Sequence, residues 1–252
     1  MNNCYGVCFN NATIDSFLHN WKKFLNRDNS FAIIDNQGAA VSITQSNIFS
    51  YNEASLRNSL NITHDVSKRH YWNSQGNRNI IWFYAHFRML NFYLSHPNYD
   101  YYWFFDDDVD CTNWDEFFKN VKYDSDFLAY FVFKKDGVTS QPLVSCIDSR
   151  THSGQGWFER FPGDGDKLPE VNNQIFGSFY PVVRYSNKAL NALKLLNEQG
   201  YHGYSEGFVP TVLNNLGFTL DTLYTPENVS RHFDIDSVKI THKHQTINWQ
   251  WL

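Results

Sequence analysis

The chain has 252 residues, enough for one core to serve a single domain, and its 21 Lys+Arg against 26 Asp+Glu leave a formal net charge of −5. That balance offers no basic field to nucleic acid, and an aromatic content of 18% within 42% hydrophobic residues excludes a disordered chain. No run approaches the roughly 20 apolar residues of a bilayer span, and Met1-Asn2-Asn3-Cys4 does not begin a secretory leader, so a cytoplasmic protein is expected. Cys4, Cys8, Cys111 and Cys146 include no CxxC pair and read as free thiols.

Residues 5–9 form a short apolar strand. Ile14, Phe17, Leu18, Trp21 and Leu25 then recur at helical spacing, and 31–34 is a buried strand closing in the turn Asp35-Asn36-Gln37-Gly38. A β-α-β start implies a parallel sheet covered on both faces. Residues 47–79 read as polar and irregular, anchored by Ile48, Phe49, Leu56 and Leu60. A helix follows in which Ile80, Phe83, Tyr84, Phe87, Leu90 and Leu94 share one face, stopping near Pro97.

The strand 101–105 runs straight into Asp106-Asp107-Asp108-Val109-Asp110. Asn113 and Glu116 then suggest a capping box for a helix with a Trp114, Phe117, Phe118, Val121 stripe, and 127–133 is another apolar strand. From 134 to 173 the pattern is lost among glycines, the mark of a long functional loop. Order returns with a strand over 175–184 and a helix from Ser186 as N-cap to Gly200. A helix starting near Pro210 ends at Gly217, and short strands are expected over 220–224 and 238–241. No repeat or linker divides the chain, so 1–252 is expected to be one domain.

Four aspartates in five positions after five aromatic residues repel one another unless a cation neutralises them. In extended backbone Asp106 and Asp108 lie on the same side, placed to hold a hard divalent ion at the carboxyl end of a strand, where open α/β sheets collect ligands. A solvated acidic turn leading into the next helix is the other reading.

Trp103-Phe104-Phe105-Asp106-Asp107-Asp108 resembles the DxD signature of the GT-A class of nucleotide-diphospho-sugar glycosyltransferases. Residues 5–11 with the following helix are similar to the first nucleotide-binding β-α unit of that class. Ile33-Ile34-Asp35-Asn36-Gln37-Gly38 resembles its second strand and turn, and Arg88-Met89-Leu90-Asn91 its Arg-Asn helix, with the adjacent pair interrupted. The resemblance implies a single GT-A-like (Rossmann-like) α/β domain with a mainly parallel central sheet flanked by helices. Residues 1–130 would be the donor half and 131–252 the acceptor half with its long loop over 134–173.

The resemblance further implies that Asp106 and Asp108 bind Mn2+ or Mg2+, and that Asp35, Arg88, Asp106 and Asp107 contact a nucleoside-diphosphate sugar, a UDP-sugar first among them. The acceptor would be a saccharide or glycan hydroxyl. Ser205-Glu206-Gly207-Phe208-Val209-Pro210-Thr211 resembles the segment carrying the acidic residue near the acceptor, which makes Glu206 the general base of an inverting transfer. A first-turn Glu complementing a helix dipole is the alternative for Glu206, and retention of configuration stays open. The tail around Lys239-Ile240-Thr241-His242-Lys243-His244 resembles the place where some members supply a histidine ligand, here His242, with His244 and His232 as competitors. No transmembrane segment is expected; peripheral membrane association stays open.

Two rivals use the same residues. Asp108-Val109-Asp110-Cys111-Thr112 matches the DxDxT signature of haloacid-dehalogenase-type phosphatases, whose Asp nucleophile attacks phosphorus with Mg2+ assistance. That signature normally opens its fold, whereas over a hundred residues precede it here. The other rival is a nucleotide-sugar or glycan-binding module without turnover.

Overall fold

The computed structural model describes residues 1–10, 14–36, 47–63, 84–135, 161–162, 165–171, 174–223, 240–242 and 245–246. The first half supplies β1 (Asn3–Asn10), α1 (Ile14–Leu25), β2 (Ser30–Asp35), β3 (Ile48–Tyr51), α2 (Glu53–Ser59), α3 (Ala85–Ser95) and β4 (Tyr101–Asp106). After β4 come β5 (Val109–Cys111), α4 (Trp114–Asn120), β6 (Phe127–Lys135), β7 (Ile175–Ser186), α5 (Asn187–Glu198), α6 (Ser205–Asn215), β8 (Leu220–Thr222), β9 (Ile240–His242) and β10 (Gln245–Thr246).

These elements build a single α/β domain around a seven-stranded sheet in the order β3-β2-β1-β4-β7-β6-β8. β1 to β4 are mutually parallel, β7 is antiparallel to both β4 and β6, and β8 is parallel to β6. The chain steps outward from β1 to β3 and then returns to lay β4 on the other flank of β1. Neighbouring strands there lead away in opposite directions, which opens a crevice at their carboxyl ends.

Period-two alternation sorts the strand side chains into two cores. Cys4, Cys8, Ile33, Tyr102, Phe104, Val183 and Tyr185 pack with Leu56 of α2, Phe87, Leu90 and Phe92 of α3, Leu190 and Leu193 of α5, and Phe208 and Val212 of α6. On the other face Val7, Phe9, Ile34, Trp103, Phe105 and Val182 meet Trp21 and Phe24 of α1 and Phe117 of α4. Among the described residues the tyrosine, tryptophan and phenylalanine rings therefore lie mainly inside. The exposed large apolar side chains among the described residues, Met1, Leu195 and Leu216, include no ring.

Local signals account for the starts of three helices and the end of one. Ser186 Oγ accepts from Ala189 N at 3.2 Å to cap α5, and the chain leaves its far end through Gly200 at φ +77°. Asn113 Oδ1 accepts from Glu116 N at 3.1 Å, while Glu116 Oε1 accepts from Asn120, so only half of the expected box forms. The stretch read as irregular contains β3 and α2, the latter closed by a reciprocal Asn52–Ser55 box with bonds of 2.8 and 2.9 Å.

The helix placed at Pro210 begins five residues earlier, at Ser205, with Pro210 inside it. Ile80 and Phe83 of the expected earlier helix, and most of the 134–173 loop, lie outside the described residues. Among the described residues no helix is long and apolar enough to cross a membrane.

Asp126 locks the opposite edge of the sheet. Its carboxylate accepts from Ser186 Oγ at 3.1 Å, Thr219 N at 3.1 Å and Thr219 Oγ1 at 3.0 Å, and pairs with Lys188 at 2.9 Å. Burial raises its pKa, but the Lys188, Thr219 and Ser186 bonds outweigh that and hold it below the usual value. A depressed folded pKa gives stability that is present above the unfolded value of about 3.9 and lost as pH falls through the folded one. Asp126→Asn should therefore cost about 1–3 kcal/mol at pH 7 in urea titrations and flatten the acid loss of stability below about pH 4.

Gly6 supplies a second check. A Cβ there would lie 2.5 Å from Ile33 Cδ1 and 3.0 Å from Phe104 Cδ1, so Gly6→Ala should overpack the first core by about 1–3 kcal/mol, read as a lowered Tm.

Candidate functional site

The carboxyl ends of β1, β2 and β4 carry the polar residues that the apolar strands do not. Register sets the spacing: Cys8 lies beside Asp106 and Asn10 beside Asp35. Asp35 and Asp106 thus flank β1 at about 10 Å across two strand spacings and about 7 Å along the strands. Asp35 is 1% exposed, Asp106, Asp107 and Asp108 are half-buried, and all belong to one edge.

Parity decides what Asp106 meets. Tyr102 and Phe104 face α3, so Asp106, next in the even series, does too, and Arg88 from the first turn of α3 donates through Nη2 to its Oδ1 at 2.6 Å. α3 and β4 run back to back, which brings positions 18 apart in sequence together. Arg88 Nε is buried with no hydrogen-bond partner among the described residues. Burial alone would lower the Arg88 pKa, but the Asp106 carboxylate bonded to it opposes that and its pKa stands above its ordinary value, so the guanidinium is permanently charged. Burial pushes the Cys8 thiol up to about 12, with Arg88 offsetting only part, so Cys8 is a neutral thiol and no nucleophile.

β4 stops at Asp106, and Asp107 and Asp108 form a turn into β5. The alternation expected to align Asp106 with Asp108 therefore does not extend across this turn. Trp21 of α1 donates from Nε1 to Asp107 O at 2.8 Å, so the turn is held from one face by an indole and from the other by a guanidinium. Asp110 is exposed on β5 and accepts from Cys111 N at 2.8 Å.

The C-terminal segment returns to this turn. β9 pairs with β5 in a three-stranded antiparallel sheet, with His242 opposite Val109, the residue after Asp108. His232 and His244 lie outside the described residues.

Glu206, in the first turn of α6, meets the same edge through β7. Between Ala129 and Phe131 two steps of β6 span four of β7, a bulge at Tyr180-Pro181-Val182 that turns Tyr180 into the first core. Tyr180 N donates to Glu206 Oε1 at 3.1 Å, and the Tyr204 hydroxyl donates to Oε2. Since Phe105 pairs with Val182, Tyr180 lies past the end of β4, alongside the acidic turn.

The backbone of Glu206 is tied down as well. Pro210 has no N–H to offer the carbonyl four residues earlier, and Ser178 Oγ of β7 donates to Glu206 O at 3.1 Å instead.

The edge thus brings together Asp35, Arg88, Asp106, Asp107, Asp108 and Glu206, with the backbone of His242 one position beyond the turn. Sequence reasoning missed Tyr180, Tyr204 and Ser178. The available signal was the Glu206–Pro210 spacing, which guarantees an unpaired carbonyl needing an outside donor.

Among the described residues no group of three or more His, Cys, Asp or Glu side chains is gathered to hold a metal ion. No model of a known protein family matches the chain, and no curated protein matches it.

Arg88→Ala should leave Asp106 without its cation. Full burial of the pair would make this cost about 3–5 kcal/mol; with Asp106 31% exposed, about 2 kcal/mol is expected in urea unfolding, largely restored by Arg88→Lys.

Proposed function

We propose that the chain is a metal-dependent glycosyltransferase of the GT-A class, with a nucleoside-diphosphate sugar, a UDP-sugar first, as donor and a saccharide or glycan hydroxyl as acceptor. The observation that carries this reading is the acidic turn Asp106-Asp107-Asp108 at the carboxyl end of β4, beside the crevice where the sheet order reverses. A cytoplasmic setting and possible membrane-surface contact belong to the reading and rest on the sequence alone.

The donor set suits a hard divalent cation. Carboxylate oxygens are the ligands Mg2+ and Mn2+ prefer, and such ions take one or two protein carboxylates and fill the remaining positions with substrate phosphates and water. Asp106 and Asp108 would hold the ion, with His242 as a candidate third ligand. When bound, the ion supplies Lewis-acid stabilisation of the charge that builds on a departing diphosphate.

The remaining work falls to the chain itself. Arg88, with its charge secured and Nε unspent, orients Asp106 and adds positive potential beside the diphosphate. Asp35 at the end of β2 would accept hydroxyl or ring N–H donors of the nucleoside. Glu206, in the first turn of α6 against β7, would in an inverting transfer remove the proton of the attacking hydroxyl.

Calorimetry with UDP and Mn2+ tests the donor half. Asp108→Asn should weaken Mn2+-dependent UDP affinity at least tenfold, about 1.4 kcal/mol, and unchanged affinity would sink the DxD assignment. Glu206→Gln should lower transfer by roughly 10²-fold or more while UDP·Mn2+ affinity holds. If Glu206 only complements a helix dipole, the loss would instead be about 0.3–1 kcal/mol of stability with turnover intact.

A further inference from the structure

We propose that Tyr204 is the positioning residue of Glu206, a role that rests on reading Glu206 as the base of the proposed transfer. A glutamate side chain has three rotatable bonds, and one hydrogen bond leaves its carboxylate free to swing about that contact. Here the two oxygens have different donors: Tyr180 N on Oε1 at 3.1 Å and the Tyr204 hydroxyl on Oε2. Two donors on separate oxygens fix the plane of the group.

Tyr204 is itself anchored from outside α6. Its N–H donates to Asp166 Oδ1 at 3.1 Å, from a segment joined to the α5–α6 connection by reciprocal Lys167–His202 backbone bonds of 2.8 and 2.9 Å. Gly203 makes room for this contact, since a Cβ there would lie 3.2 Å from Asp166 Oδ1 and 3.0 Å from Phe208. Asp166 therefore supports the base through Tyr204. Among the described residues, the ionisable groups around Glu206 include Tyr204 on its own segment, Tyr180 on β7, Asp166 through Tyr204, and His86 of α3 through Ser205.

The test uses the full chain labelled with ¹³C at glutamate carboxyls, the Glu206 signal being assigned by its loss in Glu206→Gln. Removing a donor that favours the ionised carboxylate should raise the Glu206 titration midpoint in Tyr204→Phe by about one pH unit. Tyr201→Phe, which leaves the bonds to Glu206 intact, should not move it.

With a UDP-sugar and Mn2+, Tyr204→Phe should lower kcat for donor turnover about tenfold and leave KM unchanged, kcat being taken per folded chain so that a loss of stability does not enter it. An unmoved midpoint overturns the proposal. Should Tyr204→Phe fail to fold, the wild-type chain still decides: a slowly exchanging Tyr204 hydroxyl proton that shifts in Glu206→Gln supports the clamp, and a freely exchanging one overturns it. A moved midpoint in a chain with no UDP·Mn2+ affinity would overturn the glycosyltransferase reading and keep the clamp; affinity with an unmoved midpoint would do the reverse.

Discussion

The Arg88–Asp106 ion pair is where the two windings of the sheet are fastened together. β4 crosses back to the flank of β1 and ends in an acidic turn, and α3, leading into β4, carries the cation that meets it. At an effective dielectric constant of about 20 such a pair gains about 4 kcal/mol of Coulomb energy at 4 Å, and burying a guanidinium among Cys8, Tyr51 and Tyr185 offsets much of that. Its net contribution to stability is therefore modest. What it fixes is geometry: Asp106 has one orientation, and the turn that follows starts from a defined point.

Trp21 acts on the same turn through a neutral bond. Its indole lies within a ring cluster, 5.1 Å from Phe24, 5.6 Å from Phe105 and 5.2 Å from Trp114, so the donor to Asp107 O is held by packing on every side. The aromatic strand that precedes the aspartates and the aromatic helix that follows them serve this rigidity. An apolar run that stops abruptly at charge is what the amino-acid sequence has to look like for a carboxylate cluster to stand on a fixed platform.

The β-α-β opening, the aromatic-to-acidic junction and the Ser186-capped helix were legible because each rests on local periodicity or a local cap. β3 and α2 were not, since a four-residue strand and a seven-residue helix are too short for a period to show among polar neighbours. Pro210 misled for a specific reason. Proline favours the first turn of a helix, but here its missing N–H is compensated by Ser178 from a strand 32 positions earlier, which no local pattern reveals. The β7 bulge is equally non-local, because it exists only in register with β6. Of the candidate residues, those on strand ends could be placed from sequence; the contacts that orient Glu206 could not.

The two sides of the edge are also coupled through a buried contact that belongs to neither. His86 donates its N–H to Ser205 Oγ at 3.2 Å, and its Nδ1 lies 2.8 Å from the same oxygen. Backbone and ring of His86 thus meet the same hydroxyl. Phe208 stacks on this ring at 5.4 Å. The contact joins the first turn of α3 to the first turn of α6, two residues before Arg88 and one before Glu206. Arg88 holds Asp106, and Tyr180 and Tyr204 hold Glu206, so the carboxylates on the two sides belong to one hydrogen-bonded body. A displacement of one helix start cannot be absorbed without breaking either this buried pair or an ion pair. The separation between the acidic turn and Glu206 is thereby fixed by the scaffold before any ligand arrives, which is the condition under which a carboxylate at a helix start can act on a group held at a neighbouring strand end.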